Sequence, residues 1–380
     1  MENRRFNFPT RIEFGPGVIS KLAALLSEAG SARPLLLTDT GVSSQPFFLA
    51  IVASLKAAGL APAVFDDGGG NPVKAQVLRG VQRYKDHGAD AIVAIGGGAP
   101  MDVAKAVALM INHPGELFDY EDGKADALPV NQPIPYLIAV PTTAGTGSEV
   151  GRSAVISDDD TGAKKIIFDP SLLPIIALAD PELTVGLPAS VTATTGMDAL
   201  SHNVEAFLSK GYHPMADGLA LEGMRLIALN LRRAVEHPGD IEARGNMLMA
   251  SLMGAVAFQK GLGITHSLAH PLSTVCDMHH GLANAIMIRY AMEFNAEAVP
   301  ERFARMAQAV GAASADVEGF LSWLNALRAD IGIPDKLSEA GVGIESLEHL
   351  VHFAWLDPCY ASNPRQPSRE DFEALYKKAL

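Results

Sequence analysis

Four of the eleven histidines fall in one stretch between Gly261 and Gly281: His266, His270, His279 and His280. Packing is a poor explanation for such crowding. Imidazole is the commonest metal ligand and the usual acid–base group near neutral pH. His266 and His270 have i, i+4 spacing, so a helix would put them on one face. Pro271 follows and His280-Gly281 closes the stretch, so the last pair must return through a turn. This reads as half of a metal site.

Upstream, T-T-G-M-D-A-L-S-H-N-V-E carries Asp198 and His202 at the same i, i+4 spacing, with Glu205 near that face. An isolated pair of this kind reads as a helix-surface hydrogen bond. Beside a histidine cluster it reads as ligands. Asp198, His202, His266 and a residue of the His279-His280 pair would offer one carboxylate oxygen and three imidazole nitrogens. Such a set suits Fe2+ or Zn2+ and leaves a position for substrate.

These residues need elements to hold them. Short buried runs alternate with helical stretches through the first half of the chain. Strands are expected at Ile12–Phe14, Pro34–Asp39, Ala63–Phe65, Ala91–Ile95 and Tyr136–Val140, with helices at Val18–Ala29, Pro46–Ala58, Val73–His87 and Asp102–Met110. That alternation predicts an α/β, Rossmann-like domain with a mostly parallel sheet, whose ligands bind at the carboxyl ends of the strands. From Val191 on the spacing is helical, with almost no strand signal. The expected domains are therefore 1–186, α/β, and 187–380, all-α.

Gly96-Gly97-Gly98 lies between a strand and a helix, where glycines let backbone N–H groups approach a pyrophosphate. It is not G-x-G-x-x-G, so alone it reads equally as a tight turn. Asp39 closes a buried strand, where a carboxylate can accept from ribose hydroxyls and repel a 2′-phosphate. It can also simply cap Thr40-Gly41. Pro141 to Glu149 is rich in threonine and glycine, as suits a loop donating to phosphate or ribose. Arg152 could pair bidentately with a substrate carboxylate, or face solvent.

The composition narrows the classes. The 380 residues are 48% hydrophobic, and 30 basic against 43 acidic side chains give a net charge of −13. That balance argues against a general nucleic-acid binder. Cys276 and Cys359 are the only cysteines, so no disulfide framework is expected. No apolar run reaches the roughly 18 to 20 residues of a membrane span. The start, M-E-N-R-R-F-N-F-P-T, has no apolar signal core. A cytoplasmic protein with no nucleic-acid or membrane partner is expected.

Several motifs in fixed order closely resemble the signatures of the group III, iron-containing alcohol dehydrogenases. They are G-G-G-A-P-M-D at Gly96–Asp102, P-T-T-A-G-T-G-S-E-V at Pro141–Val150, D-A-L-S-H at Asp198–His202, H-S-L-A-H-P at His266–Pro271, H-H-G at His279–Gly281 and N-P-R at Asn363–Arg365. The resemblance spans essentially the whole chain and implies a dehydroquinate synthase-like two-domain architecture. It implies Asp198, His202, His266 and His280 as metal ligands, His280 being the histidine before glycine. Fe2+ is the implied metal, and the set accepts Zn2+ as well. His270 is then the proton carrier. NAD is the implied cofactor, held by Asp39, Asn71, Gly96, Gly97, Gly98, Asp102, Thr142, Thr143, Thr146 and Lys164, with Lys165 a rival for the last place. The family's usual serine is replaced by Ala99, which removes a hydroxyl donor near the cofactor. The implied reaction is NAD-dependent hydride transfer to or from a small primary alcohol or its aldehyde. If Arg152 faces substrate, a hydroxy acid such as 4-hydroxybutyrate fits. A homodimer or larger homo-oligomer is expected. The alternatives are a non-redox sugar-phosphate cyclase on the same scaffold, and a non-catalytic metal or nucleotide binder.

Overall fold

The structure, a computed structural model, describes Phe8 and Thr10–Leu380. The opening stretch read above for a signal core lies almost wholly outside the described residues. The chain forms two compact units. One runs to Thr143 and resumes over Ser148–Thr184; the other holds Ala144–Gly147 and Val185–Leu380.

The first unit carries strands β1 (Arg11–Phe14), β2 (Pro34–Leu37), β3 (Ala63–Phe65), β4 (Ala91–Gly96), β5 (Tyr136–Pro141), β6 (Ser153–Ser157), β7 (Lys164–Phe168) and β8 (Ile176–Ala179). Its helices are α1 (Leu22–Glu28), α2 (Thr40–Ser43), α3 (Pro46–Ala57), α4 (Lys74–His87) and α5 (Gly98–Asn112). Six strands make one sheet in the order β1-β8-β5-β4-β2-β3, every neighbour parallel. Parallel strands covered on both faces read as unbroken apolar runs, which is why Leu35–Leu37 and Ile92–Ile95 were legible. Leu36, Val93 and Ile138 pack with Leu26, Phe48 and Leu55 on one face; Leu35, Leu37 and Ile92 pack with Val77, Val103 and Val107 on the other.

Several elements differ from the sequence expectation. The second strand stops at Leu37 because Asp39 turns to cap α2, accepting the Val42 N–H at 2.9 Å. The helix expected from Asp102 starts at Gly98, so that Gly96 ends β4, Gly97 is the N-cap and Gly98 opens the first turn. The antiparallel hairpin β6–β7 and the parallel strand β8 were not anticipated.

The second unit is helical: α6 (Ala189–Leu208), α7 (Pro214–Glu236), α8 (Ile241–Ala257), α9 (Ile264–Cys276), α10 (His280–Asn295), α11 (Pro300–Val310), α12 (Val317–Asp330), α13 (Leu347–Leu356) and α14 (Arg369–Ala379). α6 is its axis and is buried almost throughout its second half. Gly196 permits close packing there, since a Cβ would sit 2.3 Å from Leu231 Cδ1. The expected Ala243–Lys260 helix is α8 followed by a 3₁₀ turn, Phe258–Lys260. Asn363 of the N-P-R motif accepts the Ile264 N–H at 3.2 Å and so caps α9. Arg365 lies over the Phe294 ring at 4.0 Å and donates to the Phe294 carbonyl near the end of α10. Both are scaffold roles. Among the described residues no single helix is long and apolar enough to cross a membrane; only α8 with its turn and α9 pass together, bent by 108°.

Candidate active site

α6 and α9 bring the first ligand candidates together. One ligand atom each of Asp198, His202 and His266 lies within 4.8 Å of the others, and the three residues are 4%, 3% and 1% exposed. The i, i+4 spacing on α6 sets Asp198 Oδ1 4.0 Å from His202 Nε2. The return turn is short. Asp277 takes the left-handed conformation at φ 50° to end α9, and His280 then begins α10. His280 Nε2 comes to 3.5 Å from Asp198 Oδ1. His279 caps α10 and is exposed.

The far nitrogens of two rings face acceptors. His266 donates from Nδ1 to Glu205 Oε2 at 2.6 Å. His202 donates from Nδ1 to the Gly145 carbonyl at 3.3 Å, and Ser251 Oγ donates to the same carbonyl at 3.0 Å. An acceptor there puts the proton on Nδ1 and turns the Nε2 lone pair toward Asp198, the usual arrangement behind a metal-bound histidine. Gly147 lets the loop approach α8: its φ is 63°, and a Cβ would lie 2.3 Å from that of Ala255.

The electrostatics are uneven. Burial pushes His202 down to about 4 and keeps it neutral. Burial also opposes charge on His266, but Glu205 outweighs it and the net shift is upward. Burial likewise works against the Glu205 carboxylate, yet His266 and the Thr265 N–H hold it below its ordinary range. Glu205 also accepts from the Gly263 and Thr265 N–H groups, at 2.9 and 2.5 Å, capping α9. Asn284 on α10 donates to Asp198 Oδ1 at 2.7 Å, and its Nδ2 lies 3.1 Å from His280 Nε2. The i, i+3 step from His202 to Glu205 and the i, i+4 step from His280 to Asn284 were the only sequence signals for these two.

His270 follows one turn after His266 and is 22% exposed at its side chain. Its Nδ1 donates to Asp357 Oδ2 at 2.6 Å, and its ring stacks on His280 at 5.4 Å between centroids. Burial works against the Asp357 carboxylate, but His270, Ser267 and the Cys359 N–H hold it well below the usual range. Burial and Asp357 push the Cys359 thiol far up, so it is neutral.

The candidate cofactor residues mostly gather at the carboxyl ends of the strands. A Cβ on Gly96, where φ is 150°, would meet Pro100 Cγ at 2.4 Å, and one on Gly97 would meet Thr143 Oγ1 at 3.2 Å. Ala99 stands in the first turn of α5. Asp39 follows β2, and its Oδ2 lies 3.5 Å from a Cβ built on Gly96. The cap role weighed against the ribose role is thus what its other oxygen, Oδ1, performs. Asn71 lies in the loop before α4, and Thr142 N–H donates to the Gly96 carbonyl at 2.9 Å.

Thr146 groups with the helical unit, in the short Ala144–Gly147 segment. Asp102 accepts from Ser148 Oγ at 2.7 Å and from the Val155 N–H at 3.1 Å, tying α5 to the loop and to β6. Lys164 opens β7, whereas Lys165 is paired with Glu121 at 3.1 Å. Arg152 is half-buried, its guanidinium 5.4 Å from the Phe168 ring centroid.

Comparison with known proteins fits this picture. Residues 9–181 match the family model "Iron-containing alcohol dehydrogenase", and residues 192–380 match "Fe-containing alcohol dehydrogenase family, C-terminal". The chain is 37% identical to the 4-hydroxybutyrate dehydrogenase of Cupriavidus necator, covering 98% of each chain. It is 36% identical to the NAD-dependent methanol dehydrogenase of Bacillus methanolicus, covering 99% of each. The solved structure of a 1,3-propanediol oxidoreductase superposes with a TM-score of 0.94 at 35% identity, over 99% of this chain and 100% of that one. All three are redox enzymes by name, and nothing favours a cyclase.

Proposed function

Because the chain belongs to the iron-containing alcohol dehydrogenase family, it is an oxidoreductase of alcohols, and we propose that it uses NAD and Fe2+ to interconvert a small carboxylated primary alcohol, such as 4-hydroxybutyrate, with its aldehyde. The observation that carries the reading is the convergence of Asp198, His202 and His266, with His280 Nε2 beside Asp198. One oxygen and three nitrogens fit a divalent transition ion, and two of the histidines already have their far nitrogens held. Zn2+ would fit the same donors. A cation bound there supplies Lewis acidity toward an alcohol or carbonyl oxygen.

The remaining work falls to the chain's own groups. Gly96, Gly97 and Gly98 end β4 and open α5, where the backbone N–H groups of the helix start suit a pyrophosphate. Thr142 and Thr143 lie beside Gly96 and Gly97, Asn71 lies before α4 and Lys164 opens β7; Asp102 and Thr146 are assigned with them from their motifs. Asp39 keeps Oδ2 for the ribose hydroxyls and disfavours a 2′-phosphate, so NAD is preferred over NADP. A nicotinamide held there would supply or accept the hydride. His270 takes or gives the hydroxyl proton, its ring partly open to solvent. We assign cofactor binding to residues 1–186 and metal binding with catalysis to residues 187–380.

The substrate class rests on Arg152. Among the described residues it has no carboxylate partner, only the Phe168 ring, so its fork is available to a substrate carboxylate. The similarity to a 4-hydroxybutyrate dehydrogenase supports the same class. A cytoplasmic setting is supported by two unpaired cysteines. A homodimer or larger homo-oligomer is supported by the edge strand β1 and the exposed Phe14 and Ile175. The test is a steady-state NADH panel on metal-defined enzyme with succinic semialdehyde beside butanal. The carboxylated aldehyde should show the higher kcat/KM, and Arg152→Ala should lower that value selectively. Equal losses on both aldehydes reject the carboxylate reading.

A further inference from the structure

Asp357 reaches the site from the loop after α13, 87 residues beyond His270. Its surroundings are all donors. Oδ2 accepts from His270 Nδ1 at 2.6 Å. Oδ1 accepts from Ser267 Oγ at 2.7 Å and from the Cys359 N–H at 2.9 Å. The Ser267 hydroxyl is itself fixed, since it accepts the Tyr360 N–H at 3.0 Å. Ser267 and His270 are neighbouring turns of α9, so one carboxylate is pinned against the helix that also carries His266.

A carboxylate can only accept, and a neutral imidazole carries one N–H. The partner of one ring nitrogen therefore decides what the other offers. We propose that Asp357 is a positioning residue that fixes the tautomer and ring plane of His270, leaving the proton on Nδ1 and presenting Nε2 for proton exchange. This rests on the reading of His270 as the proton carrier. The neighbouring Cys359 serves Asp357 through its backbone N–H. The site thus holds two ring-orienting carboxylates with separate duties, Glu205 behind His266 and Asp357 behind His270.

Asp357→Asn tests this with little change of shape. Ser267 and Cys359 present two donors to one end of the side chain, so the amide oxygen should settle there. The NH2 then faces His270 Nδ1 and forces the ring proton onto Nε2. On full-length zinc-loaded enzyme carrying ¹⁵N-histidine, NMR should show that switch. kcat should fall roughly 10²- to 10⁴-fold, while KM stays within about threefold and metal content is unchanged. An unchanged tautomer overturns the inference, whatever the rate. A switched tautomer with an unchanged rate upholds the inference and instead removes His270 from the proton path. If Asp357→Asn does not fold, Asp357→Ala with added formate decides the matter: selective recovery of kcat supports the inference, and no recovery overturns it.

Discussion

Glu205→Gln separates a scaffold role for this buried carboxylate from one in metal binding. Glu205 faces only donors: His266 Nδ1 and the Gly263 and Thr265 N–H groups, at 2.6, 2.9 and 2.5 Å. Glutamine has one acceptor oxygen and one NH2: in place of Oε2 the NH2 would meet both His266 Nδ1 and the Gly263 N–H, and in place of Oε1 only the Thr265 N–H. If the NH2 turns to His266, the imidazole must carry its proton on Nε2, the atom directed at the metal position. Losing such a partner typically lowers metal affinity about 10- to 100-fold, which is about 1.4–2.7 kcal/mol. If the NH2 turns to the Thr265 N–H instead, that unpaired buried donor costs about 1–3 kcal/mol of stability and metal affinity changes little. Zinc competition against a chelator, run with denaturant unfolding of the metal-free protein, distinguishes these. We expect weaker zinc binding by at least tenfold. Affinity within twofold of the parent, with lowered metal-free stability, would refute the ligand-orienting role and leave Glu205 as a helix cap.

Three further outcomes follow from the same geometry. The His266 imidazole is held above its ordinary pKa by Glu205, and a metal must displace its Nε2 proton; apparent zinc affinity should therefore fall about tenfold per pH unit below that pKa, and a flat profile in chelator competition would contradict this. Burial lifts the Glu149 carboxyl from 4.5 to about 7, so between those pH values the folded state binds the proton and the unfolded state does not. Its contribution is full below pH 4.5 and is lost as pH rises through 7, about 3 kcal/mol in all; Glu149→Gln should flatten the pH dependence of the urea midpoint between pH 5 and 8, and an unchanged slope would exclude it. Asp39→Gly should raise use of NADP relative to NAD by roughly fivefold, about 1 kcal/mol, and an unchanged ratio of kcat/KM values removes Asp39 from ribose recognition.

Local pattern carried much of the fold into view and only part of the site. The strands buried on both faces were readable because Leu35–Leu37 and Ile92–Ile95 are unbroken apolar runs. The hairpin was not, since K-K-I-I-F in β7 is half-buried and opens with two lysines. Asp198, His202 and His266 announced themselves through helical spacing. Asp357 could not, because nothing local links it to a histidine 87 residues away. The Gly145 carbonyl is harder still, being a backbone atom in a loop whose side chains pointed toward a cofactor.

The excursion of Ala144–Gly147 into the helical unit bears on how the molecule could be divided. The chain enters that unit, leaves after four residues and returns for good at Val185. Cutting at 184/185 would therefore give a helical fragment without the carbonyl that receives both His202 and Ser251. The two units are not modular in the sense of beads on a string. Shuffling, truncation or recombination that respects only the long boundary would strip one ligand candidate of its orienting partner, while a graft carrying residues 144–147 along would keep it.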